Sequence, residues 1–333
     1  VAVSLDLLTT GGWKPGHLLL IASSAVAAAS IASLVLATLM ILIVLVSRRY
    51  GINPDNVASP VAGMLGDCCT LALLASIAEL LWSIQEECLW AQGGILLVYC
   101  LVAPFCAWVA KMSPHTANVL REGWTPVLVS MIISSTGGLI LKHSVHRFSE
   151  LAAFSPVMNG ADSNLAAVQA SRISTDLHAH GVPGRIPTSP GLRRPSIPTC
   201  SQLDEEELLT PPATCRALLG KNAHAATART LITLAVPGAL CFVFLIVSVR
   251  SHGRAVPDPT FLALYIAAAV VQVCLLFVAA HGIVSTLWRH GINPDNAAIP
   301  YVTSLGDLLG TVCLTGAFWF LHILGGTPWQ GAV

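Results

Sequence analysis

The sequence predicts an all-α polytopic membrane protein of about eight transmembrane helices, with a parallel internal repeat. Three observations lead there. Of its 333 residues, 54% are hydrophobic and only 10% charged, with a mean hydropathy of +0.73, where a soluble domain carries about 25% charged residues. The apolar residues gather into runs long enough to cross about 30 Å of hydrocarbon as helices. And the hexapeptide Gly51-Ile52-Asn53-Pro54-Asp55-Asn56 returns as Gly291-Ile292-Asn293-Pro294-Asp295-Asn296. The match continues at Pro60 and Pro300, then at Leu65-Gly66-Asp67 and Leu305-Gly306-Asp307, always 240 residues apart. A fixed offset over that many identities marks a repeat.

The elements follow in order. Residues 1–16 form a polar or interfacial lead, and the apolar run 17–47 is too long for a signal-peptide core. Within it Ser23, Ala27, Ser30 and Ser33 suggest a small-residue face for close helix packing. Arg48 and Arg49 end the run, and spans are expected at 54–83, 92–111 and 120–142. His143 and His146 then fall on an expected loop, as surface residues rather than a metal site. The fifth segment, 150–178, holds Asn159, Asp162, Ser163, Asn164, Gln169 and Arg172 among apolar residues. It predicts a span lining a polar cavity, the alternative being an aqueous loop followed by a short amphipathic helix. Residues 179–222, rich in Pro, Ser and Thr, form a loop, and spans at 230–249, 259–289 and 294–324 complete the set. Ten cysteines, mostly inside apolar runs and without Cys-x-x-Cys spacing, read as ordinary small buried residues. A formal net charge of zero leaves no basic face for nucleic acid.

Alternating the loops across eight spans puts twelve Lys and Arg on one side and five on the other. The richer side is cytoplasmic by the positive-inside rule. Both hexapeptides and the loop 179–222 are then cytoplasmic, and both termini lie outside. Each hexapeptide opens an even-numbered span, so the copies are parallel repeats about an axis along the membrane normal. Asn53 and Asn293 suit a helix N-cap, Pro54 and Pro294 the first turn, and Asp55 and Asp295 the positive end of the helix dipole. Asn56 and Asn296 complete each set. From Asn56 to Asp67 is eleven residues, roughly 16 Å of helix, which places Asp67 and Asp307 near the bilayer midplane.

The pattern Gly-x-Asn-Pro-Asp-Asn, then Pro, then Leu-Gly-Asp resembles the MgtE-like divalent cation transporters, in particular solute carrier family 41. The segment from Asn159-Gly160 through Asn164-Leu165, with Gln169 and Ser171-Arg172-Ile173-Ser174-Thr175, resembles that family's second signature. Where the family has Gly-Gly, this chain has Asp162-Ser163, which either loosens the close backbone packing at that point or brings an extra carboxylate into the pore. The resemblance implies two five-helix membrane domains joined by a linker helix. On that plan residues 1–91 are the C-terminal part of an incomplete first repeat, 92–119 the linker helix, 120–325 the second repeat with its cytoplasmic loop 179–222, and 326–333 a tail. The missing helices are expected either upstream of Val1 or from a partner, a second copy or a complete homologue.

The resemblance also implies a membrane cation transporter rather than an enzyme, multi-pass in the plasma membrane. Its partners are the lipid bilayer and divalent cations, with Mg2+ as transported substrate and no permanently bound cofactor. Asp67 and Asp307 are the expected metal ligands, with Asn159, Asp162 and Asn164 adding oxygens or holding waters. Magnesium suits few carboxylates plus retained waters. Asp55 and Asp295 either concentrate cations at the cytoplasmic mouth or cap their helices. Two alternatives remain from the sequence. One is a non-transporting or regulatory partner of a complete transporter. The other is an intramembrane aspartyl protease, which would need Tyr-Asp and Gly-x-Gly-Asp, where this chain has Met64 and Ser304 at the first glycine position and no Tyr before either Asp.

Overall fold

The computed structural model describes residues 15–51, 54–84, 89–113, 116–117, 120, 123–181, 184 and 223–330. They form eight long helices: α1 (Pro15–Arg49), α2 (Pro54–Ser83), α3 (Leu89–Lys111), α4 (Trp124–Val145), α5 (Leu151–His180), α6 (Ala223–Arg250), α7 (Pro259–Arg289) and α8 (Pro294–Ile323). One small addition to the all-α expectation is a two-residue antiparallel pair, β1 (Val256–Pro257) with β2 (Trp329–Gln330), which ties the α6–α7 connection to the segment after α8. The chain divides into two compact units, Val1–Ser135 and Thr136–Val333.

In the first unit α1 packs against both α2 and α3. Its buried stripe is Leu20, Ser24, Ala28 and Ala32, at a stride of four, the ridge that lets helices interlock. This corrects the small-residue face expected at Ser23, Ala27, Ser30 and Ser33. Ser23 is buried, but Ser33 is exposed and Ser30 returns its hydroxyl to Val26 O at 2.8 Å. A serine satisfied by its own helix needs no neighbouring helix.

In the second unit α5 is the inner element, packed against α6, α7 and α8, while α7 packs against α6 and α8. Among the described residues six helices are long and apolar enough to cross a membrane, and α5 is not among them. Its polar residues are tolerated because other helices cover it. The alternative of an aqueous loop is overturned, since α5 is one continuous 30-residue helix. His143 likewise lies inside α4 rather than on a loop, with His146 in the turn that follows. Trp90, Leu34, Leu101 and Leu45 stand exposed on α3 and α1, which in a bilayer is the lipid-facing surface. The cysteines follow the same rule. Cys68, Cys100, Cys106 and Cys241 are exposed and Cys69, Cys274 and Cys313 half-buried, correcting the expectation of burial. An apolar solvent removes the reason to bury a thiol.

The helices that flank the two copies of the hexapeptide have matched bounds. α1 ends at Arg49 and α7 at Arg289; α2 runs from Pro54 to Ser83 and α8 from Pro294 to Ile323. Each pair of bounds differs by 240. Gly51 and Gly291 adopt φ of +67° and +70°, the left-handed conformation that closes a helix and that glycine reaches without a Cβ penalty.

Candidate functional site

The second unit has two apolar clusters separated by a polar layer. One cluster joins Leu151, Phe154 and Met158 of α5 to Phe261 and Tyr265 of α7 and Phe318 of α8. The Phe154, Phe261 and Phe318 rings meet at centroid distances of 5.0 to 6.0 Å. The other joins Ala166, Ala170 and Ile173 of α5 to Val273 and Leu276 of α7 and Val302 of α8. Between them, on the same three helices, stand Asn159, Asp162, Ser163, Gln272, Asp307 and Thr311.

Close helix approach builds this layer. Gly306 and Gly310 are one turn apart on α8, the small-xxx-small spacing that lets helices meet. A Cβ on Gly306 would collide with Ser163 Oγ and lie 2.9 Å from Ser163 Cβ. A Cβ on Gly310 would collide with Asn159 Oδ1 and come within 3.0 Å of Gln272 Oε1. From α4, Gly137 admits α8 at the level of Asp307, since a Cβ there would lie 3.2 Å from Asp307 O and 3.1 Å from Leu308 Cα.

Asn159 donates from Nδ2 to Asp307 O at 3.2 Å and to Thr311 Oγ1 at 3.2 Å. Gln272 donates from Nε2 to Gly306 O at 3.3 Å. Ser163 Oγ donates to Asn159 O. Asp162 is 5% exposed, Gln272 0% and Thr311 1%. Among the described residues, Asn159 Oδ1, Asp162 Oδ2 and Gln272 Oε1 are buried oxygens that accept no hydrogen bond from the protein. Leaving such an atom unpaired costs about 1–3 kcal/mol. Three in one layer, flanked by well-packed hydrocarbon, point to a polar ligand.

The structure therefore brings Asn159, Asp162 and the Asp307 segment into one layer. Asp307 itself is half-buried. Asn164 is also half-buried, but at about 100° per residue it points some 160° away from Asp162 around α5. The side chains of Asp55, Asn56 and Asp67, and the whole of Asn53, lie outside the described residues, as does most of the loop 179–222. At the start of α8, Asn293 caps the helix, its Oδ1 accepting from Asp295 N at 3.0 Å. Asp295 accepts from Ser174 Oγ of α5, and His178 Nε2 lies 3.4 Å from Asp295 Oδ2 and 3.0 Å from Asn293 Oδ1. Asn296 is exposed. These three residues thus stand at one end of α8, well away from the layer.

Sequence reasoning gave no site role to Gln272, Thr311, Gly310 or His178 and read Gly306 only as part of the repeated Leu-Gly-Asp. A glutamine inside a long apolar run, and two glycines four apart on the helix that carries Asp307, were the signals available. Among the described residues no group of three or more His, Cys, Asp or Glu side chains is placed to hold a metal ion. The layer offers amide and carboxylate oxygens, the donors that hard cations prefer.

The fold and the site define a polytopic helical membrane protein with a layer of amide and carboxylate oxygens inside the bundle of its second unit. A profile of the MgtE divalent cation transporters matches residues 2–77 and 155–317, and the chain belongs to that family. Solute carrier family 41 members are its homologues. It is 38% identical over 326 residues to chicken solute carrier family 41 member 2, covering 97% of this chain and 54% of the relative. It is 37% identical over 327 residues to the human member 2, again 97% and 54%, and 38% identical over 311 residues to mouse member 3, 92% and 59%. The chain spans about half the length of the curated relatives it matches. No solved structure matches it.

Proposed function

We propose that the protein moves divalent cations across a membrane, Mg2+ foremost, and that the polar layer of α5, α7 and α8 lies on the pathway. The observation that carries this is the meeting of Asn159, Asp162 and the Asp307 segment between two apolar clusters. Asp307 and Asp162 supply negative charge and Asn159 a neutral oxygen. A small cation that dehydrates reluctantly is held by one or two carboxylates while keeping several waters. Such a site binds strongly enough to admit the ion and weakly enough to release it. Asp67, at the equivalent position of the first hairpin, plays the matching role there. Asn164 acts on the far side of α5, toward bound water rather than the ion. Asp55 and Asp295, with Asn53, Asn56, Asn293 and Asn296, form the cytoplasmic ends of α2 and α8. The plasma membrane is the proposed location.

The test is Mg2+ flux in vesicles reconstituted with the purified chain, followed with an internal Mg2+ dye. Saturable divalent flux supports the assignment. Flux of monovalent ions or organic solutes with none of Mg2+ sinks it.

A further inference from the structure

Two side-chain amides in the layer share an unusual arrangement. Asn159 comes from α5 and Gln272 from α7, yet both turn their nitrogen onto the backbone of α8. Asn159 Nδ2 is held by Asp307 O and Gln272 Nε2 by Gly306 O. Each amide is thereby oriented, and its oxygen is left without a protein donor. Both amides lie against Gly310, where a Cβ would strike Asn159 Oδ1 and come 2.7 Å from Gln272 Nε2 and 3.0 Å from Gln272 Oε1. Gln272 is fully buried, so its oxygen has no access to bulk water. A pair of oriented acceptors, with the buried Asp162 carboxylate about one turn along α5 from Asn159, attracts either water or a cation that carries water. Apolar residues before and after Gln272 on α7, Ala269 and Val273, are both buried, so nothing in the helix pattern calls for an amide there.

We propose that Gln272 is a cation-site residue: over Gly310 its Oε1 pairs with Asn159 Oδ1 to take a hard divalent cation, directly or through waters of the hydration shell. This rests on the transport reading above and adds α7 to the elements that hold the ion. It also assigns Gly310 a purpose, since only a residue without a Cβ lets both amides pack against α8 at this level. A neutral amide suits a transport site better than a third carboxylate would. It ligates without adding charge, so it tightens the site without holding the ion as a further carboxylate would.

The test uses the full chain purified in detergent, with thermal unfolding measured as MgCl2 is titrated, and the same proteins assayed for flux in vesicles. Gln272→Met keeps the volume and loses the oxygen. It is expected to raise the Mg2+ concentration at half-maximal stabilisation by about tenfold or more, the scale of one lost charge-assisted contact. Gln272→Glu restores an oxygen and adds charge; it is expected to lower that midpoint while slowing flux. Gly310→Ala is expected to act as Gln272→Met does. Wild-type midpoints in both Gln272 variants, with Asp307→Asn shifted, would overturn the role of Gln272 and leave the transport reading standing. A wild-type chain with neither Mg2+ stabilisation nor Mg2+ flux would overturn both. Should Gln272→Met fail to elute as a single species, Gln272→Glu decides alone, an unchanged midpoint counting against the proposal.

Discussion

Asp307 and Asp162 share a layer but differ in surroundings. Asp307 is half-buried on a helix whose backbone oxygens are engaged by Asn159 and Gln272, whereas Asp162 is almost wholly enclosed. A charged contact of this kind is worth about 1.5–3 kcal/mol, or roughly ten- to a hundredfold. Asp307→Asn and Asp67→Asn are therefore expected to cut Mg2+ flux in vesicles by about that factor while expression holds, because removing a charge lowers the insertion cost. Asp295→Asn keeps an oxygen for Ser174 and is expected to be milder. Dead Asp295 variants beside normal Asp307 variants would move the pathway away from the layer. Packing makes a separate prediction. Gly306→Ala drives a methyl into Ser163 and should destabilise by about 1–3 kcal/mol, with partial recovery in the Ser163→Ala double variant, read as thermal midpoints in detergent. Asn159, Asp162 and Asp307 drew notice in the sequence because they fall in a polar stretch of an apolar segment or in the repeat, whereas a single polar residue in an apolar run does not. Gln272 was overlooked because it has no repeat partner, the equivalent position being Ala32, and because its value comes from a neighbour 113 residues away in the chain.

At the level of elements, the helices were readable from apolar length, and the ends of α2 and α8 from Asn-Pro. What could not be read was which helices meet. No residue of α5 announces that it will lie antiparallel to α8, with Asn159 beside Asp307 at one level and Ser174 beside Asp295 at another. The hexapeptide was read as a helix start only, although its glycine also ends the helix before it. Two expectations follow from that turn. Asn293→Ala should cost about 0.5–2 kcal/mol through the lost cap. Gly291→Ala should cost about 1–2 kcal/mol, since a Cβ is unfavourable at positive φ. Chemical or thermal unfolding in detergent measures both, and a Gly291→Ala variant as stable as the wild type would argue that the turn relaxes.

For the whole molecule the open quantity is orientation. The charge count puts the α7–α8 turn in the cytoplasm and the α6–α7 connection outside. His290 and Arg254 are exposed on those two segments. In a background with Cys88, Cys200 and Cys215 replaced by serine, His290→Cys should react with an impermeant maleimide only after the cells are opened, and Arg254→Cys in intact cells. The reverse pattern inverts the topology. The remaining native cysteines sit in apolar helix segments, where such a reagent does not reach. Composition and hydropathy were enough to call this a membrane protein, but not to say which helix of the second unit is its inner one. That place fell to α5, the helix that looked least like a span, because covering by other helices is the only setting in which its polar residues can cross.

The matched bounds of α2 and α8 carry one more implication. A left-handed glycine, an asparagine cap and a proline fix where a helix begins and in what rotational phase. Every later residue then has an assigned depth and bearing, as a notch on a ruler does once the ruler is clamped. Asp67 and Asp307 each stand thirteen residues past the clamped proline. One residue inserted between Asn296 and Asp307 would advance the carboxylate by about 100° and about 1.5 Å, aiming it at a different helix while leaving composition and length almost untouched. The spacing between turn and aspartate is thus itself a heritable coordinate, and duplicating the turn copies the coordinate along with the chain.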